Sequence, residues 1–179
     1  MKDGLFKTIL YTVIGIGIMT TIMTLTSITT PFEGVYIQFA YGYLALFAGV
    51  AGAIPAAIVG FTGHVLFDLI YTDHLWLSWA LSTGALGFVF GFAIRRKSLR
   101  QGVFSQHDMI RFNVVQAVVN IAIFGLIAPT LDVLFYQQST TIVFTQGWIA
   151  SIVNLLTVAV FGTITLKLYA NYKLKQNKQ

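Results

Sequence analysis

The 179-residue chain contains no cysteine and very few charged residues. Without cysteine it can form no disulfide, no thiolate metal site and no cysteine nucleophile. Asp, Glu, Lys and Arg together make up only 9% of the sequence, whereas a soluble globular domain carries about 25%. A surface so poor in charge excludes a soluble enzyme and a soluble nucleic-acid-binding domain. The mean hydropathy of +0.78 instead predicts an integral membrane protein.

Proline is also scarce, and most of the sequence consists of long hydrophobic runs separated by short polar connections. Six runs approach the roughly 20 residues that a helix needs to cross the hydrocarbon core of a bilayer. We expect an all-α bundle of six transmembrane helices in a single membrane domain covering residues 1–179, with spans at about 7–28, 36–50, 53–71, 76–94, 109–135 and 142–169. The boundary at residues 50–55 is the weakest because it contains no charge. Pro129 is expected to bend or end the fifth span.

Lysine and arginine are confined to three parts of the chain, which are the N-terminus, the connection between spans four and five, and the C-terminus. The charged residues of the other connections are all acidic, namely Glu33, Asp73 and Asp132. Cytoplasmic loops of membrane proteins are enriched in Lys and Arg, so both termini are predicted to be cytoplasmic. The net charge of +5 is then explained by the topology, and no nucleic-acid partner is required. The expected partner of the chain is the lipid bilayer.

The longest connection, residues 95–108, is too short for a separate catalytic domain, and the chain has no GxxxxGK[ST] phosphate-binding loop. The chain itself therefore hydrolyses no nucleotide through that motif. Energy for any uphill transport has to come from another subunit or from an ion gradient.

Polar side chains inside the predicted spans are the candidate functional residues, because such groups are costly within a bilayer. His64 and Asp68 lie four residues apart in the third span and share one helix face. This spacing predicts the polar wall of an outward-opening pocket, or a structural pair that satisfies itself inside the bundle. Two such side chains without a third make a weak metal site, so we expect neither a metal nor a cofactor.

Asn120 and Asn154 fall at similar depths on the fifth and sixth spans. Their amides can join helices by hydrogen bonds or bind the donors and acceptors of a heterocyclic ligand. Tyr41 and Trp79 lie deeper than the other outer aromatic residues and can stack on a flat ring. Glu33, in the turn between the first two spans, is either a lid residue over the pocket or a solvated turn residue.

Several of these residues lie in sequence runs that resemble a known family. The runs YLALFAG (43–49), GFTGHVLFD (60–68) and WLSW (76–79) resemble the substrate-binding S components of energy-coupling factor (ECF) vitamin transporters, in the group related to the riboflavin-transporter S family. The runs FNVVQ (112–116), IAPTLD (127–132) and VFTQG (143–147) fit the same group. The resemblance covers nearly the whole chain.

The resemblance implies a six-helix bundle that binds a vitamin or precursor near the outer face, under the loop joining the first two spans. It also implies two kinds of partner, a transmembrane coupling subunit (the T component) and two cytoplasmic ATPase subunits, so that the chain itself is not an enzyme. S components carry an alanine-rich AxxxA docking pattern on the first span. Here Gly15, Gly17 and Thr21 occupy that region, with Met19 where alanine is expected, and only the small-xxx-small spacing of Gly17 and Thr21 remains.

The ligand is expected to be neutral or weakly basic, because no Lys or Arg lies outside the cytoplasmic regions to bind an anion. The hydroxymethylpyrimidine moiety of thiamine and a pyridoxine-like ring are the preferred candidates, and riboflavin and cobalamin are alternatives. Two other classes of function stay open. They are an intramembrane enzyme that uses His64 and Asp68 as acid and base, and an ion-coupled carrier that moves a proton through them.

Overall fold

The computed structural model describes residues 2–72 and 74–179, with side-chain positions from Gly4 onwards. Asp73, one of the acidic residues assigned to an outer connection, therefore lies outside the described residues. In chain order the elements are α1 (Lys2–Thr26), β1 (Ile28–Thr29), β2 (Tyr36–Ile37), α2 (Ala40–Ala51), α3 (Ala53–Phe67), α4 (Leu77–Ala93), α5 (Arg96–Arg100), α6 (Gln106–Asn120), α7 (Ala128–Tyr136), α8 (Thr140–Thr157) and α9 (Thr163–Gln176).

Three π-helical segments interrupt the long helices. Asp68–Thr72 extends α3, Ile121–Ile127 joins α6 to α7, and Val158–Gly162 joins α8 to α9. The second segment directly precedes Pro129, whose missing N–H and bulky ring cannot fit a regular α-helix interior. In the π segment the backbone hydrogen bonds change from the i→i+4 spacing of an α-helix to i→i+5. The α-helical spacing then resumes and continues to Tyr136. The fifth predicted span thus passes through Pro129 as one helix.

Four helices are long and apolar enough to cross a membrane, namely Gly4–Thr26, Ala53–Thr72, Gln106–Tyr136 and Thr140–Gln176. They coincide with the first, third, fifth and sixth predicted spans, and they make the chain a multi-pass membrane protein. The second and fourth predicted spans coincide with shorter apolar helices, α2 with 12 residues and α4 with 17. The total of six crossings and the side on which the termini lie remain predictions.

The second predicted span begins later than its hydrophobic run indicates. Residues Tyr36 and Ile37 pair with Thr29 and Ile28 as an antiparallel β-hairpin instead of starting a helix. Tyr36 and Ile37 are the aromatic and β-branched residues that a strand accepts, so hydropathy alone could not separate this segment from the helix that follows. The hairpin places residues 30–34 above one end of the bundle.

A single residue, Gly52, separates α2 from α3. Its φ of +102° lies in the region that glycine adopts without a steric penalty. Arg96 and Arg100 reach the end of α2, where Arg96 Nη2 donates to the carbonyl oxygens of Val50 (3.0 Å) and Ala51 (2.9 Å). These bonds satisfy carbonyl groups that the helix leaves without a partner and place a cation at its negative end.

The most extensive helix contact among the described residues joins α3 to α4, and it depends on glycine. A Cβ at Gly60 would lie 2.6 Å from the Thr83 carbonyl oxygen, and one at Gly87 would lie 2.5 Å from that of Ala56. A Cβ at Gly91 would overlap the backbone of Ala53. Small residues let helix backbones approach closely in lipid, and this contact brings the face of α3 that bears His64 against α4.

The charge distribution leads to a labelling prediction for topology. Because the native chain has no cysteine, a single introduced cysteine is the only thiol of the chain that a reagent can label. Cysteines at the exposed positions Gln101, Ser139 and Gln176 therefore report on which side of the membrane each position lies. In intact cells an impermeant thiol reagent should label Ser139→Cys and leave Gln101→Cys and Gln176→Cys unmodified. A permeant reagent, which should label all three, is the control. Outside labelling of Gln101→Cys or Gln176→Cys would contradict the six-span topology.

Candidate functional site

A cavity of about 420 Å³ opens at the end of the bundle where the β-hairpin, the α3–α4 connection and the α7–α8 connection meet. Its volume lies within the range of about 300–1,000 Å³ that is usual for small-molecule sites. The walls combine aromatic rings with a few polar groups, also as in ligand sites. Six of the seven residues predicted to bind substrate line it, namely Glu33, Tyr41, His64, Asp68, Trp79 and Asn154.

His64 is held on α3 by a side chain of α4. Its Nδ1 lies 2.7 Å from Thr83 Oγ1, and the Thr83 hydroxyl donates to the Trp79 carbonyl oxygen at 3.0 Å. The Thr83 hydroxyl thus lies between the helix backbone and the imidazole, and its contact with Nδ1 fits either tautomer of the neutral ring. This arrangement fixes the plane of the imidazole and leaves Nε2 directed towards Asp68.

Asp68 is the first residue of the π segment that extends α3. Its Oδ2 accepts the backbone N–H of Trp76 at 3.0 Å, and its Oδ1 lies 3.5 Å from His64 Nε2. Single π turns occur often at functional sites. The carboxylate therefore closes the α3–α4 connection with one oxygen and faces the histidine across the cavity wall with the other.

Asp132 on α7 also lines the cavity, although the sequence indicated it only as an acidic residue of an outer connection. The Ser78 hydroxyl and the indole Nε1 of Trp79 (2.8 Å) both donate to its carboxylate, which is 1% exposed. Asp132 lies about one turn inside the end of the fifth predicted span. An ionisable residue within a span is a functional candidate, and this position could have indicated its role in the site. The same bonds orient Trp79, whose predicted role was ring stacking.

Aromatic side chains form much of the remaining wall. Tyr41 packs edge-on against Phe124 at a centroid distance of 5.7 Å. Phe67 lies edge-on to Tyr36 at 6.1 Å and stacks with Tyr71 at 5.1 Å. Tyr36 and Phe67 both line the cavity, and the sequence had indicated neither as a ligand contact.

Asn120 does not line this cavity. It is fully buried, and its Nδ2 donates to the carbonyl oxygen (2.9 Å) and the side-chain Oε1 (3.0 Å) of Gln116. Gln116 in turn donates to the carbonyl oxygen of Leu155 on α8 at 3.2 Å. Asn120 therefore bonds within α6 and supports Gln116, the residue that joins α6 to α8.

The β-hairpin covers the mouth of the cavity and is tied to α8. Gln146 Nε2 donates to the Glu33 carbonyl oxygen at 2.8 Å. On the other side, Gln38 Nε2 donates to Ser27 Oγ at 2.9 Å. Glu33 and Gln146 both line the cavity, so the bond that joins the hairpin to α8 lies at the cavity wall.

The three predicted docking residues of α1 do not share one environment. Gly15 is buried, and a Cβ there would lie 2.6 Å from Cε2 of Phe47. Gly17 and Thr21 are exposed and four residues apart, and the Thr21 hydroxyl donates to the Gly17 carbonyl oxygen. Gly15 therefore packs within the chain, and only Gly17 and Thr21 are available to another subunit.

The described residues contain no group of three or more His, Asp and Glu side chains that could hold a metal ion. The polar groups of the cavity are instead spread among aromatic rings and joined to hydroxyl, indole and backbone partners. This arrangement suits an organic ligand that fills the space and makes a few directed hydrogen bonds.

The site and the helices together define a multi-pass membrane protein with a cavity for a small ligand. The sequence matches the family described as the ECF-type riboflavin transporter, S component, over residues 5–171. The chain belongs to this family, which confirms the resemblance seen in the motifs. It is thus a substrate-binding component of an ECF transporter, a class of protein that is typically not enzymatic.

Its relatives include several proteins that carry the name UPF0397 protein. That of Lactococcus lactis subsp. cremoris (strain NZ9000) is 42% identical over 175 residues, covering 98% of this chain and 96% of the relative. That of Enterococcus faecalis (strain ATCC 700802 / V583) is 37% identical over 177 residues, covering 98% and 97%. The relative in Lactobacillus acidophilus is 39% identical over 163 residues, covering 91% and 88%. No solved structure matches the chain.

The bond between Gln146 and Glu33 leads to a prediction about the hairpin. One net hydrogen bond contributes about 0.5–1.5 kcal/mol, so Gln146→Ala should raise amide hydrogen exchange in residues 30–36 by about 2- to 12-fold. Hydrogen–deuterium exchange with mass spectrometry measures this in the purified chain. Thr145→Ala, which removes only a bond within α8, is the matched control. Equal exchange in the two variants would show that the hairpin is held by other contacts.

Proposed function

We propose that this chain captures a small water-soluble vitamin or vitamin precursor at the outer face of the cell membrane, as the S component of an ATP-driven ECF importer. The observation that carries the proposal is the convergence of six sequence-predicted residues on one cavity of about 420 Å³. Family membership supports the role in transport. The transmembrane coupling subunit and the two cytoplasmic ATPases are the proposed partners, and both termini of the chain face the cytoplasm beside the ATPases.

Within this function, the hydroxymethylpyrimidine moiety of thiamine and a pyridoxine-like ring are the proposed ligands. A cavity of about 420 Å³ accommodates a single substituted ring between aromatic walls. Riboflavin is the larger alternative, and cobalamin is several times too large for the cavity as it stands. Tyr41 and Trp79 would contact the faces or edges of the ring, with Asn154, His64 and Asp68 bonding its polar groups.

The alternative functions receive less support from the site. The hydrogen bonds of His64 to Thr83 and of Asp68 to Trp76 hold both side chains as parts of the wall. An enzyme would need a nucleophile or a metal beside them. The Thr83 hydroxyl beside His64 bonds to the Trp79 carbonyl oxygen within α4, and the described residues provide no metal-ligand group. An ion-coupled carrier differs from an S component in one measurable way, because it accumulates substrate without ATPase subunits.

Transport by reconstituted vesicles tests the proposal. Vesicles containing the chain alone should bind radiolabelled 4-amino-5-hydroxymethyl-2-methylpyrimidine or pyridoxine without accumulating it. Vesicles that also contain the coupling subunit and the ATPases should accumulate the same compound when ATP is enclosed on the ATPase side. Uphill uptake by the chain alone would contradict the proposal and favour an ion-coupled carrier.

A variant of α1 separates docking from ligand binding in the same assay. A Cβ at Gly17 would meet no atom within 4 Å, so Gly17→Leu should fold and bind ligand normally. Its larger side chain should prevent close approach of the coupling subunit and abolish ATP-dependent accumulation. Ile18→Leu, an exposed neighbour that changes shape without changing bulk, is the control. Full activity of Gly17→Leu would show that another face of the chain docks.

A further inference from the structure

The cavity has an unbalanced set of charged groups. Three carboxylates line it, those of Glu33, Asp68 and Asp132, and no described lining residue is Lys or Arg. Asp68 and Asp132 are 3% and 1% exposed. Buried carboxylates are normally compensated by a positive or hydrogen-bond-donating partner. Here the protein's own donors are neutral, apart from any proton that His64 or His74 holds.

The hydrogen bonds that Asp68 and Asp132 accept from the protein leave part of the accepting capacity of these two carboxylates unused. Asp132 accepts from the Ser78 hydroxyl and the Trp79 indole, and Asp68 accepts from the Trp76 backbone. An ionised carboxylate offers about four acceptor positions. Each of these two groups can therefore accept a further bond from a molecule in the cavity.

The histidine leaves the second oxygen of Asp68 available. The Thr83 hydroxyl lies within hydrogen-bond distance of both the Trp79 carbonyl oxygen (3.0 Å) and His64 Nδ1 (2.7 Å), so either tautomer of the neutral ring fits this geometry. His64 Nε2 and Asp68 Oδ1 face each other at 3.5 Å, beyond the usual hydrogen-bond distance. Asp68 Oδ1 is therefore placed to accept from a donating group of a ligand beside the histidine.

We propose that the ligand of this cavity carries an amino group, which donates to Asp68 beside His64 while Asp132 accepts from a second donor of the same molecule. This inference rests on the proposed function and narrows it. It favours an aminopyrimidine over a pyridoxine-like alcohol and over any anionic vitamin. It also makes Asp132 a specificity-determining residue for that ligand.

Two pairs of probes test the proposal in the purified full-length chain. The first pair is 4-amino-5-hydroxymethyl-2-methylpyrimidine and its 4-oxo analogue, and the second is pyridoxamine and pyridoxine. The members of each pair differ in one exocyclic amino group, which an oxygen replaces in the 4-oxo analogue and in pyridoxine. Titration calorimetry gives the affinities, and quenching of the cavity residues Trp76 and Trp79 supplies an independent signal. A buried polar contact that loses its partner costs about 1–3 kcal/mol, so the amino compound of at least one pair should bind about 5- to 150-fold more tightly.

Substitution of the carboxylates tests the residues that are assigned to this preference. Asp68→Asn and Asp132→Asn retain the size of the side chain and one acceptor oxygen. In Asp68→Asn this oxygen can still accept from the Trp76 N–H. In Asp132→Asn it can accept from the Trp79 indole, while the amide NH2 donates to the Ser78 hydroxyl in place of the present bond. Each should weaken binding of the amino compound more than binding of its partner. Asp108→Asn removes a carboxylate from the capping box of α6, outside the cavity lining, and should leave the preference unchanged. Thermal unfolding of every variant identifies losses due to misfolding.

The comparison within the native chain stands even if a variant fails to fold. The proposal is overturned if the oxo and hydroxyl compounds bind as tightly as the amino compounds, or if neither amino compound binds up to about 1 mM. A preference that survives both aspartate variants would overturn the assignment to these residues. A chain that transports a vitamin without a donor nitrogen would refute this inference and leave the S-component function intact. Amino selectivity without ATP-dependent transport would refute the function instead.

Discussion

The close approach of α3 and α4 is the constraint on which the site depends. Glycines at positions 60, 87 and 91 leave no room for a Cβ between the two helices. At this separation the short Thr83 side chain reaches His64 at 2.7 Å. The bond sets the direction of His64 Nε2 and hence its position relative to Asp68. A larger residue at the glycine positions would separate the helices and displace the histidine without touching the cavity itself.

The cavity exists because some elements stop before the others do. Residues 27–39 form a hairpin and its flanks, so α2 begins only at Ala40 and leaves space beneath the hairpin. The π segment after α3 and the bond from Trp76 to Asp68 turn the chain back into α4 at the same level. Asp132, bound to Ser78 and Trp79, holds α7 against the start of α4. Polar side chains thus fix the surroundings of the cavity, while apolar and glycine contacts fix the bundle below it.

Much of this arrangement follows from the sequence, but not all of it. Hydropathy predicts the long helices, and the spacing of His64 and Asp68 predicts that they share a face. Asp132 could not be assigned to the site, since its partners Ser78 and Trp79 lie more than fifty residues away in the chain. Asn120 and Asn154 have the same chemistry and similar predicted depths, and only helix rotation decides that Asn154 lines the cavity. The hairpin was missed because its residues are as hydrophobic as those of a span.

The central claim is that the cavity holds a small water-soluble molecule, and identification of the bound molecule tests it most directly. The native chain, purified without added vitamins and then denatured, should release one ring compound in near-stoichiometric amount, as measured by mass spectrometry. Ala150 lines the cavity and is 5% exposed, so Ala150→Phe should fill the space and abolish this release from a folded chain. Equal amounts of the compound from both proteins, or only lipid and detergent from the native chain, would contradict the account.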